Sequence, residues 1–184
     1  MRILLAAAFL ATLPSWAGAQ VSLQEYPLPP RITAHDVWAD PAPDGPVWFS
    51  GQGSGNAGRL DPKTGKVELI PLGRGSSPHG VVLDRDGSAW FTDGGQNAIV
   101  RVDAKTLAVK VWPLPKDTGY TNLNTAIFDK AGIHWFTGQS GYYGRLDPKS
   151  GDLKLYDAPK GRVSTPSTWT RPTSRGSRSG TSSS

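Results

Sequence analysis

Apolar and polar positions alternate in short runs along most of the chain: Gly80-Val81-Val82-Leu83, Ala89-Trp90-Phe91-Thr92, Ile99-Val100-Arg101-Val102 and Val109-Lys110-Val111-Trp112. A two-residue period over four to six positions predicts half-buried β-strands. Turn signals separate the runs, among them Asp86-Gly87, Gly94-Gly95 and Ala104-Lys105. Beyond the N-terminus no stretch carries a helical period. The runs also repeat. Arg59-Leu60-Asp61-Pro62-Lys63-Thr64-Gly65 returns as Arg145-Leu146-Asp147-Pro148-Lys149-Ser150-Gly151, with Arg101-Val102-Asp103-Ala104-Lys105-Thr106-Leu107 between them. Aligned on these anchors, Trp48-Phe49-Ser50, Trp90-Phe91-Thr92 and Trp135-Phe136-Thr137 form one column, and Asp40, Asp84 and Asp129 another. His35, His79 and Asn124 form a third, and strands closing on Pro71, Pro113 and Pro159 a fourth.

Four short strands per period of about 42 to 45 residues predict the blade of a β-propeller. The fold expected is all-β, an incomplete propeller of about three four-stranded blades over residues 35–72, 79–115 and 124–160 within a repeat region of 20–161. Leu23 to Pro29 match the last strand of a repeat with no earlier strands before them, so residues 20–34 are expected to be an orphan closing strand. Such an arc leaves sheet edges open, and edge-mediated self-association follows as an expectation.

The N-terminus changes the picture of location. Residues 1–19 run from Arg2 through the apolar stretch Ile3 to Leu13 to Ala17-Gly18-Ala19, the order of a secretory signal peptide, with an apolar run too short to span a bilayer. An exported protein, periplasmic or extracellular, is expected. The chain has no cysteine, which excludes disulfides and thiol nucleophiles. Its net charge of +5 does not imply a nucleic-acid partner. Arg2 lies in the leader, and Arg162, Arg171, Arg175 and Arg178 lie in a C-terminal stretch without acids, which leaves the repeats neutral. Residues 162–184 are rich in Ser, Thr and Arg and are expected to be disordered. The codons permit a second account: a one-base slip from Ser164 on allows a Trp-Phe pair to reappear at the repeat interval, so the tail is read as a frameshifted continuation or as a natural basic end.

The units W-F-T-D-G-G-Q-N-A-I-V-R-V-D (90–103) and W-F-T-G-Q-S-G-Y-Y-G-R-L-D-P (135–148), each followed by a strand closing in P-L-P or D-A-P, resemble those of the virginiamycin B (streptogramin B) lyases. The resemblance covers about residues 23 to 160 and implies a seven-bladed propeller of which this chain holds roughly three blades. It also implies a Mg²⁺-dependent carbon–oxygen lyase that opens a cyclic depsipeptide antibiotic at its ester. A histidine removes a proton α to a carbonyl while the cation steadies the enolate. In that family the histidine lies in a Pro-His-Gly of the last blade, with one glutamate two residues before it and another just after the following Trp-Phe.

His79, in Ser77-Pro78-His79-Gly80, carries the same local motif in an early blade, with Ser77 at the place of the first glutamate and Asp93 near that of the second. His79 and Asp93 are therefore the catalytic candidates. His35, His79 and Asn124 are the ligand-binding candidates, as a polar column around the central channel. Mg²⁺ is implied by the resemblance alone, and the residues themselves propose no metal site. His134 is expected at the surface or at a strand edge, Trp48, Trp90 and Trp135 in the core between blades, and Tyr120, Tyr142 and Tyr143 in loops. Two readings stay open: a lyase-like enzyme, inactive as this chain stands, or an exported, non-catalytic propeller that binds a small molecule or a protein. A calcium-dependent lactonase-like propeller would need clustered Glu and Asn that this stretch does not show.

Overall fold

Twelve strands account for almost all the regular structure in the computed structural model, which describes residues 22–159. They form three four-stranded antiparallel sheets in simple meander order. Blade 1 comprises β1 (Val37–Ala39), β2 (Val47–Gly51), β3 (Asn56–Leu60) and β4 (Val67–Pro71). Blade 2 comprises β5 (Pro78–Leu83), β6 (Ala89–Asp93), β7 (Ala98–Val102) and β8 (Val109–Pro113). Blade 3 comprises β9 (Leu123–Phe128), β10 (His134–Gly138), β11 (Tyr142–Leu146) and β12 (Leu153–Asp157). One 3₁₀ turn at Lys116–Thr118 links blades 2 and 3. The sheets form an open arc of propeller blades. The leader and the tail expected at 1–19 and 162–184 lie outside the described residues.

The two-residue period explains the stacking. In β5 the side chain of Val81 faces blade 1, where it packs with Trp48, Ala57, Ile70 and Leu72, together with Phe91, Val100 and Val102 of its own blade. Its neighbour Val82 faces blade 3, where with Trp90, Ile99 and Leu114 it meets Leu123, Ala126, Phe136 and Leu146. One blade thus buries both faces, because neighbouring side chains of a strand point to opposite sides of the sheet. In blades 1 and 3 the tip of the buried phenylalanine ring occupies the place of a side chain at a glycine of the next strand. A Cβ on Gly58 would overlap the ring of Phe49, and one on Gly144 that of Phe136.

The repeated heptapeptide is the turn between the third and fourth strands. The Asp61 carboxylate accepts the Lys63 amide at 2.9 Å and the Thr64 hydroxyl at 2.8 Å, while the Gly65 amide closes on the Asp61 carbonyl at 2.9 Å. Asp103 and Asp147 hold their turns in the same way. Each turn ends in a left-handed residue, Gly65 at φ 71°, Leu107 at 59° and Gly151 at 77°, a conformation glycine adopts at little cost. Hydrogen bonds to the charged form lower the pKa of these carboxyls, with the Thr106 and Lys105 amides holding Asp103 down at about 2.

Residues 22–36 form no strand, so the closing strand expected within 20–34 is not hydrogen-bonded as one. A ladder needs a partner, and backbone pairing with β2 begins only at His35 and Asp36, which bond to Ser50. The segment nonetheless lies where an outer strand would. The Tyr26 ring stands 3.6 Å from where a Cβ on Gly65 would be, and Trp112 of β8 stands 3.7 Å from the corresponding point at Gly151. Tyr26 also donates its hydroxyl hydrogen to the Pro62 carbonyl at 2.9 Å.

Two other expectations change. Tyr142 and Tyr143 belong to β11 rather than to a loop, and Tyr142 is buried. His134 is fully buried instead of lying at the surface, with its ring against Trp90, Phe128 and Phe136 and both nitrogens without a hydrogen bond. Docking blade 3 onto blade 2 covers the start of β10, which a single blade would leave exposed. Trp48 and Trp90 are core, as expected. Trp135 is only half-buried, because it lies on the uncovered face of blade 3, where it lines an apolar groove of about 520 Å³ with Trp38, Ile127 and Tyr143.

Candidate functional site

The hydroxyl that follows each Trp-Phe fixes the wall of the channel. Ser50 donates to the His79 carbonyl at 2.5 Å and Thr92 donates to the Asn124 carbonyl, so each blade grips the first strand of the next. Both hydroxyl residues are fully buried. Gly80 allows this approach, since a Cβ there would meet the Asn124 carbonyl oxygen at 2.5 Å and the Thr92 hydroxyl at 2.9 Å. The glycine of Pro78-His79-Gly80 is therefore explained by packing between blades, independently of any chemistry.

These grips bring the polar column together. The His35 and His79 rings lie 4.2 Å apart, and the Asn124 amide nitrogen stands 3.1 Å from His79 Nε2. A fourth group, which the repeat columns did not single out, joins them: Asp36, whose Oδ1 is 3.1 Å from His35 Nδ1 and whose Oδ2 is 3.9 Å from His79 Nδ1. Its only signal in the sequence is that copies 2 and 3 carry Gly80 and Thr125 at its column, so the acid is an exception to the repeat. One donor atom from each of His35, Asp36 and His79 lies within 4.8 Å of the others. Next to them a cleft of about 370 Å³ opens between the first strands of the three blades, lined by Trp38, Val82, Thr125 and Ala126 among others. Burial, and then the neighbouring His35, push the His79 pKa below 6.5 against the opposing pull of Asp36. Its imidazole is therefore neutral at neutral pH, free to accept a proton or to bind a ligand.

Asp93 does not join this group. Its buried carboxylate accepts hydrogen bonds from the Ser76 hydroxyl (2.5 Å), the Ser77 amide (2.8 Å), the Gln96 amide (3.0 Å) and the Gln96 side-chain nitrogen (2.8 Å). Four donors leave it a structural role, tying the β4–β5 connection to the end of β6. Among the described residues the cluster also does not match Mg²⁺, which prefers oxygen donors in octahedral array. Here two imidazoles face one carboxylate, and Asp93 is committed to its own donors.

No protein-family model and no curated protein matches the chain. Solved structures do. A catalytically inactive virginiamycin B lyase from Staphylococcus aureus with quinupristin aligns with a TM-score of 0.68 and 25% identity over 77% of this chain and 47% of its own. A streptogramin B lyase structure aligns with a TM-score of 0.66 and 27% identity over 74% and 44%. The extracellular domain of a hybrid two-component system from B. thetaiotaomicron, at 19% identity and a TM-score of 0.57, shares the fold alone. The chain thus spans less than half the length of the lyases it matches. In its blade architecture and in its sequence it is an arc of three propeller blades similar to those of the virginiamycin B lyases.

Proposed function

We propose that this chain is the ligand-contacting part of an exported propeller of the virginiamycin B lyase type, and that its described residues bind a small molecule at the channel without opening it. The observation that carries this reading is the environment of His79. It has the Pro-His-Gly setting of the family's base, yet its neighbours are His35, Asp36 and Asn124, and among the described residues no glutamate stands near it. An elimination needs a base together with a positive charge that holds the carbanion. His79 offers a candidate base, but among the described residues no pair of acids that would hold Mg²⁺ stands beside it. Export is supported by the leader-like pattern of residues 1–19.

The test is incubation of the chain with quinupristin and Mg²⁺. Mass spectrometry follows ring opening, and NMR follows the side-chain signals of its three histidines. The expected result is intact depsipeptide with shifted His35 and His79 signals and an unmoved His134. Ring-opened product would overturn the non-catalytic part of the reading, and unshifted His35 and His79 signals at saturating ligand would overturn the binding part.

A further inference from the structure

We propose that His35, Asp36 and His79 bind a divalent transition-metal ion of the Zn²⁺ type at the mouth of the channel, bridging blade 1 to blade 2. The inference concerns a different cation from the lyase chemistry, gives His79 the part of a ligand rather than of a base, and holds whether or not the chain binds a depsipeptide.

Three features carry it. The first is the donor set: two imidazoles and one carboxylate suit Zn²⁺, Co²⁺ or Ni²⁺, and three protein ligands leave open positions for water or a ligand. Their spacing is the second. Donors at about 2.0 to 2.2 Å from one ion stand about 3 to 3.5 Å from each other. The 3.1 Å and 3.9 Å approaches of His35 and His79 to the two oxygens of Asp36 are already close to this. The remaining contraction asks only for side-chain rotation at the half-exposed His35 and Asp36, whose backbones are held just ahead of β1 by hydrogen bonds to Ser50 of β2.

The third feature is the surroundings of His79. Its Nδ1 is buried, aimed at Asp36 and without a hydrogen bond. A buried imidazole nitrogen with no partner is a cost that a metal ion would remove. Its Nε2 lies against the Asn124 amide at 3.1 Å, and the Thr125 hydroxyl stands 2.6 Å from Asn124 Oδ1. With the amide turned half a revolution, Asn124 Oδ1 accepts from His79 Nε2–H and Thr125 accepts from Asn124, with no heavy atom displaced. Nδ1 then presents its lone pair, as a metal-bound histidine does when its other nitrogen is held by a carbonyl. The third copy of the polar column is thus the outer partner of the second. A hard cation is disfavoured, since one carboxylate cannot supply the oxygen shell of Mg²⁺ or Ca²⁺.

The experiment uses the untagged full chain, stripped with EDTA and titrated with Co²⁺ followed by absorption, and with Zn²⁺ by calorimetry. One ion per chain is expected, with Co²⁺ giving the visible bands of a nitrogen-coordinated site and an excess of Mg²⁺ failing to displace it. His35→Ala, Asp36→Asn and His79→Ala should each weaken binding at least about tenfold, and Asn124→Ala about 10- to 100-fold, as outer-shell partners do. His134→Leu, remote from the cluster, should leave it unchanged. His35→Ala and Asp36→Asn change half-exposed side chains and leave the backbone hydrogen bonds to Ser50 in place, so they decide the matter even if His79→Ala fails to fold. Absence of binding at millimolar ion, or binding that survives both of those variants, overturns the proposal.

Discussion

Replacing His134 by leucine tests how blade 3 docks on blade 2. The imidazole is fully buried between Trp90 of one blade and Phe128 and Phe136 of the other, at ring distances of 5.4, 5.0 and 6.1 Å, and neither nitrogen has a partner. Burial alone lowers its pKa from 6.5 to about 3. The folded state therefore refuses a proton that the unfolded chain takes up as pH falls through 6.5, and stability is lost from that point downwards. At about 1.36 kcal/mol per unit, the loss from about pH 7.5 to about pH 5 is about 2 kcal/mol. The carboxyls with lowered pKa values stay ionised throughout this window and do not contribute. His79, whose pKa is also lowered, pulls in the same direction but is common to both proteins and cancels in the comparison.

At neutral pH the variant should differ little from the parent, since relief of an unsatisfied imidazole, about 1 to 3 kcal/mol, offsets lost ring contacts of about 0.5 to 1.5 kcal/mol each. At about pH 5 the leucine variant should gain about 2 kcal/mol over the parent relative to neutral pH. Urea unfolding followed by tryptophan fluorescence at the two pH values measures this, and titration of the histidine NMR signals gives the pKa directly. A stability difference that does not change between the two pH values, or an His134 signal that titrates near 6.5, would refute the burial argument and with it the docking of the two blades.

Two further predictions concern the blade itself. Gly58→Ala should destabilise the fold by about 1 to 3 kcal/mol, because the new methyl overlaps the Phe49 ring, whereas Gly53→Ala, with nothing within 4 Å, should be neutral or stabilising by up to about 1 kcal/mol; thermal melts compare them. Asp84→Ala should cost about 1 to 3 kcal/mol in urea unfolding, since it orphans the buried Trp90 Nε1–H, which Asp84 accepts at 2.8 Å, and Asp40→Ala should cost less, because Asp40 holds only the Ala42 amide and Trp48 Nε1 has no partner to lose.

The aspartate column shows how far the repeats could be read. Asp84 and Asp129 sit six residues before their tryptophans and bond to them, each at 2.8 Å. Asp40 shares the column but is separated from Trp48 by a longer, proline-bearing loop, Pro41-Ala42-Pro43-Asp44-Gly45-Pro46, and makes no such bond. The serine or threonine after Trp-Phe was visible as a column, while its grip on the next blade was not, because a strand pattern records which face a residue takes and not what lies across it. Likewise, position after Trp-Phe made Asp93 a catalytic candidate with His79, but the donors of Ser76, Ser77 and Gln96 claim its carboxylate, and Asp36 takes the place beside the imidazole.

What the sequence by itself determined is the blade: alternation set the strands, the aspartate turns set their register, and the repeat distance set four strands to a unit, all of them local consequences of backbone geometry and short-range hydrogen bonding. Only the tertiary structure decided the rest. Stacking one blade on another turned His134 into core, left Trp135 at an open face, and drew His35, Asp36, His79 and Asn124 from three blades to one place. Those contacts join residues about one repeat apart, and the radial stacking of sheets that creates them leaves no mark in the local pattern of the chain.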